Sequence, residues 1–183
     1  MTRSFRNEVE VPHPVGQVWQ ALTDPTLMGL WIMNFDQTPG EMKTDFRPVA
    51  GTAYRMEAPP RGWRGYVVGK VLEVAPGQRL VYTWAHSPYQ DANPVRVEFT
   101  LEPTAEGTRV RMVQSGFPGA KGWFVRLGAR LGWRKMLGSG LPAVLDGAAN
   151  KTPEFEAWPI EVPVPALDQA SGTEGEGRRN RMP

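Results

Sequence analysis

Residues 18–31 read VWQALTDPTLMGLW, and the pattern is helical on both sides of a break. Val15, Val18, Trp19 and Leu22 recur at i, i+3, i+4 and i+7, and Leu27, Leu30 and Trp31 restart that spacing, so each half has one stripe to bury. Pro25 lacks the amide hydrogen an interior helical position would donate, and its ring drives Asp24 out of the α region. The first helix must stop near Thr23. Asp24 can then accept from the free amides of a new turn in which Pro25 takes the first position, where no donor is needed. The stretch predicts two short helices set at an angle.

Before this pair, FRNEVEV (5–11) alternates Phe5, Asn7, Val9 and Val11 against Arg6, Glu8 and Glu10, the pattern of a half-buried strand with a charged outer face. After it, the chain as far as Phe117 reads as strands and turns. The candidate strands are TDFRPV (44–49), GTAYRMEA (51–58), YVVGKVLEVA (66–75), LVYTWAHS (80–87), PVRVEFTLEPT (94–104) and TRVRMVQSGF (108–117). Pro48 places the first of these at an edge or bulge, and the third is apolar on both faces. In the fifth, Val95, Val97, Phe99 and Leu101 oppose Arg96, Glu98, Thr100 and Glu102, a clean alternation. Six strands joined by short turns predict an antiparallel meander with one further strand before the helices.

One face of that sheet needs cover, and residues 122–149 are the only long helical segment left to supply it. Phe124, Leu127, Leu131, Leu137, Leu141, Val144 and Leu145 form its apolar stripe, with Arg126, Arg130, Arg134 and Lys135 mostly elsewhere. Pro142 and the glycines at 138 and 140 predict a kink. Residues 1–150 thus make one domain. Residues 151–183, rich in Pro, Gly and charge, read as an extended, flexible C-terminal tail.

Composition narrows the chemistry. The chain has 183 residues and no cysteine, so disulfides, thiolate metal sites and thiol nucleophiles are excluded. Two histidines, His13 and His86, leave little for a metal site. A net charge of +2 does not argue for nucleic acid. No apolar run approaches the roughly 20 residues of a membrane span, and the N-terminus lacks a signal-peptide core, so a cytoplasmic protein is expected. No Ser-His-Asp order, HExxH, Walker loop or paired carboxylates stand out, and no catalytic residue, metal ligand or cofactor is assigned. His86 could serve as a general base but reads better as a strand-end histidine. His13 reads as a helix-entry residue and Asp24 as a cap.

Three stretches together resemble one family. VPHPVGQVWQALTDPTLMGLW is similar to its opening signature, GKVLEVAPGQRLVYTW to its central hairpin, and GTRVRMVQSGF with the following GW to its last strand and helix entry. The resemblance, over residues 5 to about 148, is to the SRPBCC or START-like superfamily and, within it, to homologues of the activator of the heat-shock chaperone ATPase. It implies an α+β helix-grip fold: a curved antiparallel sheet of about seven strands wrapped around a long C-terminal helix, with two short helices after the first strand. Gln114 departs from the pattern, standing where many relatives carry histidine. The break at Asp24-Pro25 acquires a purpose in this fold, because a V of short helices leaves the space between sheet and long helix unfilled.

The expected cavity would be lined by Trp31, Phe35, Tyr54, Met56, Tyr82, Trp84, His86, Phe99, Met112, Gln114, Phe117, Phe124, Leu127 and Leu131. Tyr54, Tyr82 and Trp84 carry polar tips that need partners if buried, and a ligand or trapped water could supply them. The first functional expectation is a binding protein for a small hydrophobic or aromatic molecule or a lipid, without nucleic acid or a membrane span, and with room for a homodimer. The second is an enzyme of the polyketide cyclase/dehydratase type; the third, a co-regulator of a chaperone ATPase.

Overall fold

β1 (Arg3–Val11) runs into α1 (Val15–Thr23), and α2 (Pro25–Trp31) starts one residue after α1 ends. Asp24 is the hinge between them. Its backbone is extended, and its carboxylate accepts from the amides of Thr26 (2.8 Å) and Leu27 (2.9 Å), as expected of a cap ahead of an N1 proline. The angle of the V is set by Trp31, whose indole N–H reaches back to the Ala21 carbonyl at 2.8 Å. Replacing Asp24 by alanine frees two amides, and is expected to cost about 1 kcal/mol in urea unfolding with the slope unchanged. A loss below a few tenths would mean that Pro25 alone directs the turn.

The structure, a computed structural model, describes residues 3–33, 42–57, 65–87, 94–117 and 122–151. Beyond the V come β2 (Lys43–Thr44), β3 (Ala53–Glu57), β4 (Tyr66–Ala75), β5 (Arg79–Ser87), β6 (Val95–Thr104) and β7 (Gly107–Phe117). They form one antiparallel seven-stranded sheet in the order β1-β7-β6-β5-β4-β3-β2, a meander closed at one edge by the first strand. This is the helix-grip arrangement. The strand expected over 44–49 is a two-residue pairing only, because Pro48 cannot donate to a ladder. β4, apolar on both faces in sequence, turns Val67 and Val71 inward and Leu72 outward; its pairing with β5 shifts between Val71 and Glu73.

Tyr54 on β3 explains why β4 contains a glycine. The Tyr54 hydroxyl donates to the Thr83 carbonyl of β5 at 2.6 Å, passing over the intervening β4 at Gly69, its own pairing partner. A Cβ at Gly69 would overlap both the Thr83 carbonyl oxygen and the Tyr54 hydroxyl. On the outer face, Arg111 bridges Glu8 on β1 and Glu102 on β6, and Arg79 bridges Glu73 and Glu98, a charged surface turned to water.

The long helical segment has two parts, α3 (Gly122–Lys135) and α4 (Leu141–Lys151), joined by a π-helical turn at Met136–Gly140. The expected kink is this turn. Trp133, Leu137, Leu141 and Leu145 follow one another at intervals of four, which drifts around a regular α-helix; the wider π turn keeps all four buried, with α4 packed on α1 and α2. At the far end, the buried His13 places Nε2 2.9 Å from the Asp146 carboxylate and Nδ1 3.2 Å from the Gln17 amide oxygen. The helix-entry residue thus ties α1 to α4.

Candidate functional site

The inward face of the sheet is mostly filled by its own aromatic residues. Phe46, Tyr54 and Tyr82 meet edge to face with centroids 5.1–5.7 Å apart. Tyr82 continues to Phe99 and Trp84, and Trp133 of α3 lies against Trp31, Trp84 and Phe99 at 6.4, 5.6 and 5.7 Å. Of the expected lining residues, Trp31, Tyr54, Met56, Tyr82, Phe99 and Met112 therefore belong to a packed core. The polar tips are satisfied within the protein at Tyr54 and Trp84. Among the described residues the Tyr82 hydroxyl has no hydrogen-bond partner, and burial raises its pKa well above the usual phenol value.

What remains open is a pocket of about 200 Å³ between the ends of β5, β6 and β7 and the stretch of α3 from Val125 to Trp133. Four of the expected residues line it: Trp84, His86, Gln114 and Phe117. The others in its wall are Met33, Val95, Val125, Gly128, Ala129, Gly132, Trp133 and Met136, none of them anticipated. Phe124, Leu127 and Leu131 require correction, because they are 74%, 41% and 56% exposed and point away from the sheet. α3 is seated on its Ala129 and Trp133 side with Val125 at the pocket rim, Asn7 donating to the Arg130 carbonyl and Arg126 to the Ser4 carbonyl. The apolar stripe marks the buried face from the π turn onward, at Leu137, Leu141 and Leu145, but not along α3; beside a pocket the inward face carries small residues. Phe35 lies outside the described residues.

Two polar groups interrupt the apolar wall. Gln114, 2% exposed, accepts the Trp133 indole N–H through its amide oxygen at 3.1 Å, which leaves the amide NH2 as what it can offer a guest. His86 accepts the Trp84 indole N–H at Nε2, 3.0 Å away. That bond selects the tautomer with the proton on Nδ1 and occupies the lone pair a general base would use. Burial lowers the His86 pKa from its ordinary 6.5, which keeps the ring neutral. Met33 closes the wall with a left-handed backbone (φ 58°), unusual for methionine, and its amide faces the Met136 sulfur at 3.0 Å.

The His86 environment makes stability depend on pH with a definite sign. The folded pKa lies below the unfolded one, so between the two the unfolded chain binds more protons and stability rises with pH. The contribution is complete above about pH 6.5 and is lost as pH falls toward the folded pKa. Urea unfolding from pH 7.5 to 5 should show this slope, and His86→Gln should flatten it. An equal slope in the variant would place the titration elsewhere.

A second hollow of about 290 Å³ lies outside the grip, against Trp19, Gln20, Asp24, Pro25, Phe46, Arg47 and Pro48. It is the roomier of the two and no more open to solvent than the first, with Arg47 and Pro48 exposed in its wall. Among the described residues, no three His, Asp or Glu side chains are grouped to hold a metal ion, and no helix is long and apolar enough to cross a membrane.

Comparison with known proteins agrees with this fold. Residues 12–146 match the family model described as Activator of Hsp90 ATPase homolog 1-like protein. Protein MLL2253 from Mesorhizobium loti has 34% sequence identity and a TM-score of 0.67, with 79% of this chain and 98% of that one aligned. CV1439 from Chromobacterium violaceum follows at 26% and 0.63, over 78% of this chain and 96% of its own. DynU16, described as a protein in the dynemicin biosynthetic locus, aligns over 79% of this chain and 48% of its own, at 26% identity and a TM-score of 0.60. No curated protein matched the chain.

Proposed function

We propose, for a chain that belongs to the Activator of Hsp90 ATPase homolog 1-like family, that its task is to bind a small, flat, mainly apolar molecule between the sheet and α3. The observation that carries this reading is the wall of the pocket: Trp84, Trp133, Phe117 and Val95 surround a hollow into which, among the described residues, Gln114 and His86 bring polarity. About 200 Å³ suits one substituted ring, since an apolar cavity of about 150 Å³ already accepts benzene. A whole acyl chain would need a larger space, so an aromatic guest is favoured over a lipid. Each Å² of apolar surface buried contributes about 25 cal/mol before ordering costs. An acceptor oxygen on the guest would meet the Gln114 amide NH2.

A cyclase-type reaction, which the superfamily resemblance implies, is the second reading, and DynU16, from a biosynthetic locus, is similar in fold. Such a reaction needs a proton acceptor in the pocket, and the His86 Nε2 lone pair is already used by Trp84. The chaperone reading rests on the family's name alone. Native mass spectrometry of the protein purified from its own host should reveal a retained guest of one or two rings. A spectrum of bare protein from cells in several growth states, with no ring-sized compound quenching tryptophan fluorescence, would overturn the proposal.

A further inference from the structure

α3 leaves one side uncovered, and that side has a composition of its own. Trp123, Phe124, Leu127 and Leu131 are 44%, 74%, 41% and 56% exposed. At 100° per residue they form a single strip, with Arg134 falling inside it, Arg126 and Arg130 along one flank and Lys135 on the other. From Gly122 to Leu145 there is no Asp or Glu at all. Four contiguous large apolar side chains on a water-facing helix signal a docking surface. The cations around them restrict what can dock. Two copies related by a twofold axis would place like-charged rows against each other, which disfavours self-association through this face.

The complementary chemistry lies in the chain itself. Residues 152–168, TPEFEAWPIEVPVPALD, carry Glu154, Glu156, Glu161 and Asp168 with no basic residue, interleaved with Phe155, Trp158, Ile160, Val162, Val164 and Leu167. We propose that this acidic, apolar segment docks along the exposed Trp123–Leu131 strip of α3, its carboxylates facing the flanking arginines and its apolar side chains covering the strip. The reach is sufficient: Lys151 ends α4, and Leu131 is 20 residues back along the helical segment, a distance of about 30 Å at 1.5 Å per residue. Ten residues of extended chain span about 33 Å. Pro159, Pro163 and Pro165 narrow the backbone choices open to this sequence and so lower the entropy cost of laying it on a surface. Tethering supplies an effective concentration in the millimolar range, so weak contacts suffice.

The full chain, labelled with nitrogen-15, gives the test. Amides of residues 160–168, the part of the segment far enough along the chain to lie on the strip, are expected to show order parameters near the roughly 0.85 of rigid backbone. The pair Arg130→Glu and Arg134→Glu should lower them below about 0.6 while the β-sheet resonances stay in place, which separates release of the segment from unfolding. Reversing the partners within reach as well, with Glu161→Arg and Asp168→Arg, should restore order. Order parameters below 0.6 in the unaltered chain would overturn the proposal, as would order unaffected by the arginine substitutions. Dimerisation through α3 as concentration rises would give the strip to a second copy. Sedimentation with phosphatidylserine vesicles while residues 160–168 stay disordered would give it to a membrane surface. Either result also overturns the proposal.

Discussion

Gly69→Ala is expected to prevent folding. A Cβ at this position would lie far inside van der Waals contact distance of the Thr83 backbone carbonyl oxygen and of the Tyr54 hydroxyl, and neither can yield cheaply. The carbonyl belongs to β5, whose Leu80, Tyr82 and Trp84 are locked in the core, and the hydroxyl is fixed by its 2.6 Å bond to that same carbonyl. Relief requires β4 and β5 to part, which would cost more than about 4 kcal/mol of a total stability of about 5–15 kcal/mol. The variant should lack a cooperative urea transition and accumulate in the insoluble fraction. A midpoint within about 1 kcal/mol of the parent would mean that Tyr54 does not cross β4 at this glycine.

Trp133→Ala should cost about 3–5 kcal/mol, the range for removing a buried tryptophan. The indole is the shared wall between core and pocket. It touches the rings of Trp31, Trp84 and Phe99, and its N–H is the donor to the Gln114 amide oxygen. Truncation therefore opens a cavity and leaves a buried acceptor without its partner. For a chain of this length the loss corresponds to a fall in Tm of about 10 °C. Millimolar indole should recover part of it, because a ligand that binds only the folded state adds RT ln(1 + [L]/Kd). The same compound should have a smaller effect on the parent, in which the space is occupied. A loss under 1 kcal/mol would show that α3 closes over the gap and that the pocket floor is not built on this side chain.

These two positions differ in how visible they are in the sequence. The rows of β1, β6 and β7 alternate cleanly, and the register puts their apolar members inward as written. Asp24-Pro25 carries its turn in local chemistry alone, and the glycines near 138 locate the π turn. Gly69 is silent by comparison. Its role depends on a tyrosine 15 residues earlier and a carbonyl 14 residues later, brought together only by strand pairing.

The candidate site divides along the same line. Trp84, His86 and Gln114 were legible because strand parity assigns an inward side chain without knowing what it meets, whereas Phe117 is out of phase with Gln114 and faces inward through the irregularity at Gly116, whose φ is 100°. Phe124, Leu127 and Leu131 misled because hydrophobicity was taken to mark the buried face, whereas the seat of α3 is set by Trp133 and by the room that Gly128, Ala129 and Gly132 provide. Val125, Gly128, Gly132 and Met136 have helical spacing too, but two glycines carry no apolar signal.

The order of elements, the hinge of the helical V and the inward rows of the sheet are short-range matters, written in spacing and in the backbone habits of Asp, Pro and Gly, and a single chain displays them in full. The size of the pocket and the rotation of α3 above it belong to another class. They follow from how far aromatic rings on β3, β5, β6, α2 and α3 fill the space between sheet and helix. Packing is a sum over contacts distant along the chain, and no local pattern carries that sum.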